Sequence, residues 1–234
     1  MSEGCFTTVR VLDERILFWP EHVQRLKANC KALGLDPPDP EILFEEISRV
    51  SAGMPDVRLR IGVAPRGCVI KVGAYRPPRR PWKIEPVCEP GAATRAGIKS
   101  LSRDAYRRAR KAAPRADDAL LVTDDGCLLE CTIGNIFLVR DGHLYTPPGE
   151  DPILPGIVRA LVLHHAADLG YRPVEATITM DEARRAEACF VTNAVLVAHP
   201  VADITGVARF SDTEAAQKVR ETLLSTGAGL RIIQ

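Results

Sequence analysis

The residues of this chain whose types could do chemistry together are a lysine set among apolar neighbours, a carboxylate closing an apolar strand, an arginine on a helix and a Pro-Gly helix start. Lys99 lies in Ala96-Gly97-Ile98-Lys99-Ser100-Leu101, after a glycine and before a helix-like run. An amine flanked by Ile98 and Leu101 is expected to be desolvated, which lowers its pKa and makes it a nucleophile toward a carbonyl. Taken alone, a lysine at a helix start is usually a solvated surface residue. Glu130 ends the run Cys127-Leu128-Leu129-Glu130, where a buried carboxylate is costly without a cationic partner; a strand-end side chain turned to water is the plain alternative. Pro155-Gly156-Ile157 puts small residues and unpaired N–H groups at a helix start, an arrangement that binds phosphate. Arg25 could add a guanidinium fork to the same anion, with surface solvation as its competing account.

These groups need elements to hold them. Phe6 to Leu12 alternates and is rich in β-branched residues, which predicts a strand turned by Asp13-Glu14-Arg15 into Ile16-Leu17-Phe18. Pro20 opens a helix to about Leu33, stopped by Gly34, with Val23, Leu26, Cys30 and Leu33 as its apolar stripe. A second helix is expected from about Glu41 to Val50, then a hairpin of Val57 to Val63 and Cys68 to Tyr75. The Pro-rich stretch 76–81 marks a boundary region, Trp82 to Cys88 a strand and Glu89 to Arg95 a loop. Further on, a basic helix runs from Arg103 to about Ala113, and Asp124-Asp125-Gly126 turns a clear hairpin. Asn135 to Val139 and Leu144-Tyr145 repeat that pattern, and a helix is expected from Ile157 to about Leu169. Strands are expected at Val174 to Thr179, Ala188 to Thr192 and within Leu196 to Ile204, and Ser211 is expected to cap a last helix to about Leu224. Strands and helices mix without strict βαβ alternation, which argues α+β with antiparallel hairpins. Two domains are expected, 1–90 and 91–234.

Composition narrows the classes. Lys plus Arg is 31 against 30 for Asp plus Glu, a balance that gives no reason to expect nucleic acid or an acidic membrane as partner. No run approaches a transmembrane length, and Met1-Ser2-Glu3-Gly4 carries no signal pattern. The seven cysteines include no C-x-x-C pair, and no His follows Cys127 and Cys131 at ligand spacing, so no metal site is expected. All seven are expected to be reduced thiols of a cytoplasmic protein.

An amine, a carboxylate for a pyridinium nitrogen and a phosphate cup are the parts that pyridoxal phosphate requires. At these residues the chain resembles the class IV (fold-type IV) pyridoxal-phosphate enzymes, which include branched-chain and D-amino-acid aminotransferases and 4-amino-4-deoxychorismate lyase. The resemblance runs from about Gly4 to about Thr205. It rests on six stretches in the family's order: Gly4-Cys5-Phe6-Thr7-Thr8-Val9-Arg10-Val11, His22-Val23-Gln24-Arg25-Leu26, Ala96 to Leu101, Leu129 to Phe137, Ile153-Leu154-Pro155-Gly156-Ile157-Val158-Arg159, and Val191-Thr192-Asn193-Ala194.

The resemblance implies a two-domain fold, a small N-terminal α/β domain and a larger barrel-like one, in a homodimer with the cofactor in the interdomain cleft. It implies that Lys99 holds pyridoxal 5′-phosphate covalently and then moves protons, and that Glu130 keeps the ring nitrogen protonated. Arg25 and the backbone amides of Ile157, Val158, Asn193 and Ala194 would hold the phosphate. Phe6, Thr8 and Arg10 would line the substrate pocket, with Thr8 assisting the chemistry. Val158 and Ala194 lack hydroxyls that often help to hold phosphate in the family. The loop between Val63 and Cys68 is shorter than usual, and the family's strand before Gly4 is expected to be missing. Thr7 stands where the aminotransferases usually carry Glu, and Thr192-Asn193-Ala194 ahead of His199-Pro200-Val201 looks most like the lyase. The expected activity is therefore release of pyruvate and 4-aminobenzoate from 4-amino-4-deoxychorismate, in folate biosynthesis. The alternatives are a D-amino-acid or branched-chain aminotransferase on the same scaffold, and an inactive member that keeps the fold.

Overall fold

The computed structural model describes residues 4–89, 97–150, 152–225 and 229–231. Two compact units emerge, one of residues 1–77, 98–102 and 224–234, the other of 78–97 and 103–223.

The first unit opens with β1 (Cys5–Leu12), β2 (Arg15–Leu17), α1 (Trp19–Leu33), α2 (Pro40–Ser51), β3 (Asp56–Ala64) and β4 (Gly67–Ala74). Its antiparallel sheet runs from the strand Gly229–Arg231 through β2, β1 and β3 to β4. The register pairs Cys5 with Val63 and Leu12 with Asp56, and the period of two then sorts side chains by face. Cys5, Val9 and Val11 of β1, with Val57, Leu59, Ile61 and Val63 of β3, form a buried cluster with Leu26 and Cys30 of α1 and Leu43 and Ile47 of α2. Burial of each such aliphatic side chain is worth roughly 1.5–3 kcal/mol. The other face carries Phe6, Thr8 and Arg10 beside Arg58, Arg60 and Lys71.

Local signals set the helix ends. Gly34 ends α1 at φ +63°, its N–H returning to the last-turn carbonyls of Cys30 and Lys31. Asp39 caps α2 by accepting from the N–H groups of Glu41 and Ile42, at 2.8 and 3.2 Å.

The second unit comprises β5 (Trp82–Cys88), α3 (Asp104–Ala112), β6 (Asp118–Val122), β7 (Cys127–Cys131), β8 (Gly134–Arg140), β9 (His143–Thr146), α4 (Ile157–His164), β10 (Arg172–Glu175), β11 (Ile178–Thr179), α5 (Met180–Arg184), β12 (Ala188–Asn193), β13 (Val197–Ile204), β14 (Ala208–Arg209) and α6 (Glu214–Ser225). The order β8–β12–β13–β5–β6–β7, with β7 pairing back to β8, closes a barrel of six strands. Strands β9, β10, β11 and β14 extend its rim.

The hairpins are antiparallel as expected, and parallel pairs join them: β5 runs parallel to both β6 and β13, and β10 parallel to β9. Apolar runs such as those of β5 and β6 suit either polarity, so periodicity alone does not choose. Several expectations are corrected. The helix after Gly156 ends at His164, where the chain continues to Gly170 in hydrogen-bonded turns, among them Ala166 N–H to Leu163 O and Gly170 N–H to Ala167 O. The strand expected over 174–179 splits into β10 and β11, which join opposite ends of the sheet order. The chain then enters α5 through a capping box of Thr179 and Glu182. The last helix starts after Asp212, whose carboxylate takes the Glu214 N–H at 2.7 Å, not at Ser211.

The units also divide differently from 1–90 and 91–234. Segment 78–97 goes with the barrel because β5 is one of its staves. Residues 98–102 go with the first unit, because Phe6 N–H donates to Lys99 O at 2.9 Å and Leu101 N–H to Gly4 O at 2.8 Å. The loop expected over 89–95 lies outside the described residues after Glu89. No helix among the described residues is long and apolar enough to cross a membrane.

Candidate active site

The first unit fastens the lysine to β1. Cys5 bridges antiparallel to Ser100, between the two backbone hydrogen bonds already described. Lys99 Nζ thereby stands 5.1 Å from the centre of the Phe6 ring. The Arg60 guanidinium lies 3.7 Å from the same centre, so one aromatic ring carries two cations. Thr8 follows Phe6 on this face, paired in register with Arg60. Gly4 must be a glycine here: a Cβ would sit 2.6 Å from both Leu101 Cδ1 and Val63 O.

Arg10 stands on the same face with partners of its own. Its Nε and Nη2 donate to the two oxygens of Asp56 at 2.8 and 2.7 Å, and its guanidinium covers the Tyr75 ring at 4.3 Å. That fork braces β1 against β3. Thr7 turns to the opposite face, where it meets His22 of α1 with Oγ1 2.6 Å from Nδ1. His22 is 1% exposed and its Nε2 has no hydrogen-bond partner among the described residues. Burial, and then the cations Arg25 and Lys99, push its pKa down to about 3. His22 is therefore neutral at pH 7, and it senses both the proposed phosphate-binding arginine and the proposed nucleophile.

In the second unit the candidate group is Glu130. The tight connection from β7 to β8 places Glu130 directly opposite Asn135. Glu130 is 3% exposed. Its Oε1 accepts from the Tyr106 hydroxyl of α3 at 2.8 Å, and its Oε2 lies 3.4 Å from Asn135 Nδ2. The same Nδ2 donates to Leu154 O at 2.8 Å, which ties the Glu130 strand to the segment leading into α4. Gly156, the first residue of that start, leaves room for Asn135: a Cβ there would collide with Asn135 Oδ1. Gly156 at the N-cap of α4 has no side chain to cap it, so among the described residues the N–H groups of Ile157 and Val158 start a helix without a side-chain cap bond. Val158 itself is buried.

Asn193 completes this part with its side chain, which the sequence reading had not used. Its Oδ1 accepts from Val195 and Leu196 N–H groups, both at 2.8 Å, and its Nδ2 donates to Ile133 O at 3.1 Å. The side chain thus shapes the 193–196 turn and binds it to the β7–β8 connection; only the backbone of Asn193 and Ala194 is left to face a ligand. The turn delivers Val197 at φ +63°, a left-handed conformation that costs a β-branched residue on the order of 1–2 kcal/mol. Thr192 Oγ1, next in the row after Glu130 and Asn135, is buried without a partner among the described residues.

Tyr106, Asn135 and His22 were not assigned roles from sequence. Asn135 had a signal: a turn centred on 132–133 sets residues 130 and 135 side by side. Tyr106 had none, because its partner is 24 residues away on another element.

The residues fit a phosphorylated aromatic cofactor. An anion can use the uncapped α4 start. Thr192 Oγ1 is buried and unsatisfied among the described residues, and Gly156 and Asn135 shape the space beside Glu130.

Comparison with known proteins gives the class. The family model for amino-transferase class IV matches residues 4–204, and the chain belongs to that family, whose cofactor is pyridoxal phosphate. It is similar to a Methanocaldococcus jannaschii protein named "Putative branched-chain-amino-acid aminotransferase", 28% identical over 230 residues, 88% of this chain and 80% of that protein. The next curated relatives match over only 26–35% of their own lengths. The branched-chain aminotransferase of Thermoproteus uzoniensis with norvaline superposes with a TM-score of 0.83 at 25% identity, covering 94% of this chain and 84% of that one. A Legionella pneumophila structure named "Putative 4-amino-4-deoxychorismate lyase" has the same fold, with a TM-score of 0.83 at 24% identity over 96% of this chain and 91% of that one.

Proposed function

We propose that this protein is a 4-amino-4-deoxychorismate lyase. The observation that carries the reading is the face of β1 on which Phe6 and Thr8 stand in alternation, with Lys99 Nζ over the Phe6 ring and Thr7 turned away into the core. That face offers an amine and a hydroxyl, and the β1 residue in the position of the aminotransferases' usual Glu bears no carboxylate. Arg58, Arg60 and Lys71 add positive charge, which suits a substrate carrying two carboxylates.

Bound pyridoxal phosphate would supply an electron sink for the carbanion that forms at the amine-bearing carbon. Lys99 removes the proton from that carbon. Thr8 gives a proton to the departing enolpyruvyl oxygen, which leaves as the enol of pyruvate. Glu130 keeps a proton on the ring nitrogen, and Arg25 with the helix-start amides holds the phosphate against movement during the proton transfers. The reading includes a cytoplasmic homodimer, for which sedimentation of the purified protein is the direct measurement.

With the cofactor added, the protein is expected to release pyruvate and 4-aminobenzoate from 4-amino-4-deoxychorismate with no keto acid present. Thr8→Val should cut this rate far more than it weakens cofactor binding. Borohydride should fix the cofactor on Lys99, and Lys99→Ala should abolish the near-visible band; a label on another lysine removes Lys99 from its role. The second reading, a class IV aminotransferase, is favoured by the names of the curated relatives. Transfer from D-alanine or a branched-chain amino acid to 2-oxoglutarate, with aminodeoxychorismate untouched, would establish it instead.

A further inference from the structure

Glu130 does not stand alone in the barrel. Its two oxygens face different donors, the Tyr106 hydroxyl at 2.8 Å and the Asn135 amide at 3.4 Å. Tyr106 is itself held. The Arg103 guanidinium stacks on its ring at 3.6 Å and donates to the Thr132 carbonyl. The Thr132 hydroxyl donates to Asp118, a carboxylate 1% exposed that also takes the backbone N–H of Ala119 at 2.8 Å and of Ile133 at 3.3 Å. A polar chain therefore runs Asp118–Thr132–Arg103–Tyr106–Glu130, every link within one unit. It fixes the direction of the phenol and hence which carboxylate oxygen it occupies.

We propose that Tyr106 is a positioning residue: its hydroxyl, with the Asn135 amide, holds Glu130 as the ionised partner of the cofactor's ring nitrogen and sets how tightly that nitrogen keeps its proton. The proposal rests on the cofactor reading above. Its physical basis is the shorter of the two hydrogen bonds. A donor on a carboxylate stabilises the anion and lowers its basicity. With the donor in place, a proton shared between Glu130 and the ring nitrogen stays on the ring. Without it, Glu130 becomes the stronger base and draws the proton away. Burial and then Glu130 itself push the Tyr106 phenol up, so it remains a donor across the working range. Asn135 is the less clean test, because its amide also holds Leu154 O beside the phosphate end.

The experiment is a pH titration of the near-visible band of the cofactor-loaded protein, comparing wild type, Tyr106→Phe and Tyr106→Gln. A less protonated ring withdraws less charge, so the Lys99-linked nitrogen keeps its own proton to higher pH. Tyr106→Phe is expected to raise the titration midpoint by about one pH unit, the scale of a lost hydrogen bond to a charged group. Cofactor affinity should stay within about twofold, because the phosphate contacts lie elsewhere, and kcat should fall about tenfold with KM little changed. Tyr106→Gln restores a donor and should return the midpoint toward wild type. A Tyr106→Phe midpoint indistinguishable from wild type overturns the proposal, as does an equal shift in both variants, which would make packing of the ring the cause. If Tyr106→Phe does not fold, Tyr106→Met takes its place as the variant without a donor: a raised midpoint that Tyr106→Gln returns toward wild type supports the donor role, and an unshifted one contradicts it. Failure of wild type to bind the cofactor at Lys99 would instead sink the cofactor reading, a separate result seen before any variant is compared.

Discussion

Two side chains separate binding from chemistry. Glu130 receives the Tyr106 hydroxyl and lies beside the Asn135 amide, and in the proposed site it touches the ring and not the phosphate. Glu130→Gln keeps the shape but loses the charge that holds a proton on the ring nitrogen. It should retain most cofactor affinity and lose turnover by a factor of a hundred or more (roughly 3 kcal/mol or above); activity near wild type would take Glu130 out of the mechanism. Arg25→Ala should do the reverse, weakening the cofactor by about 1.5–3 kcal/mol, the scale of a charge-assisted hydrogen bond. An unchanged titration with pyridoxal phosphate would return Arg25 to the surface. Sequence singled out Lys99 and Glu130 as candidates because each conflicts with its apolar neighbours. It did not reveal that Arg10 pairs with Asp56, 46 residues away, or that Thr7 reaches His22 across α1. Those partners are set by strand register and helix packing, which a single sequence leaves open.

Elements were readable where a local rule acts alone. Gly34 marked the end of α1 and Asp-Asp-Gly gave the β6–β7 turn, whereas the cap that Asp39 supplies to α2 was not singled out. Strand polarity was hidden, since an apolar strand buried in a closed barrel reads alike in parallel and antiparallel ladders. The break between β10 and β11 was hidden as well, because Val174 to Thr179 has strand-like composition throughout while its halves pair with different neighbours. Strands approach closely at Gly134, where β8 meets β12. A Cβ there would lie 2.5 Å from the Thr192 carbonyl oxygen and 2.7 Å from Val191 Cγ1. The first of these is backbone in a paired strand and has little freedom to move. Gly134→Ala is thus expected to cost about 1–3 kcal/mol in urea unfolding and to displace Asn135, the next residue, from Glu130. The same substitution at Gly142, where a Cβ meets nothing within 4 Å, should not affect Glu130. If Gly134→Ala unfolds with the wild-type midpoint and binds cofactor equally well, the β8–β12 contact does not set the site.

At the scale of the molecule, the resemblance implied a barrel, and the pairing of β7 with β8 supplies its closure. That pairing joins residues close in sequence, so the seam of the barrel is also the hairpin that carries Glu130. The first unit has a different weakness, and it is electrostatic. His22 is neutral in the fold down to about pH 3, whereas an unfolded histidine takes a proton near pH 6.5. A lowered pKa in the folded state means that the unfolded chain binds the extra proton between these values. Stability from this group is fully present above pH 6.5 and is lost as pH falls toward 3, at about 1.4 kcal/mol per unit. Between pH 6.5 and 5 the loss is about 2 kcal/mol, enough to stand above the background of surface carboxylates, most of which titrate lower. His22→Gln removes the titrating group and keeps a side chain able to hydrogen-bond Thr7. The unfolding free energy of wild type, measured in urea from pH 8 to 5, should therefore slope downward below pH 6.5, and that of His22→Gln should stay comparatively level. Parallel profiles for the two proteins would mean that His22 gains its proton without opening the unit, against the burial and the Arg25 and Lys99 charges that the fold sets around it.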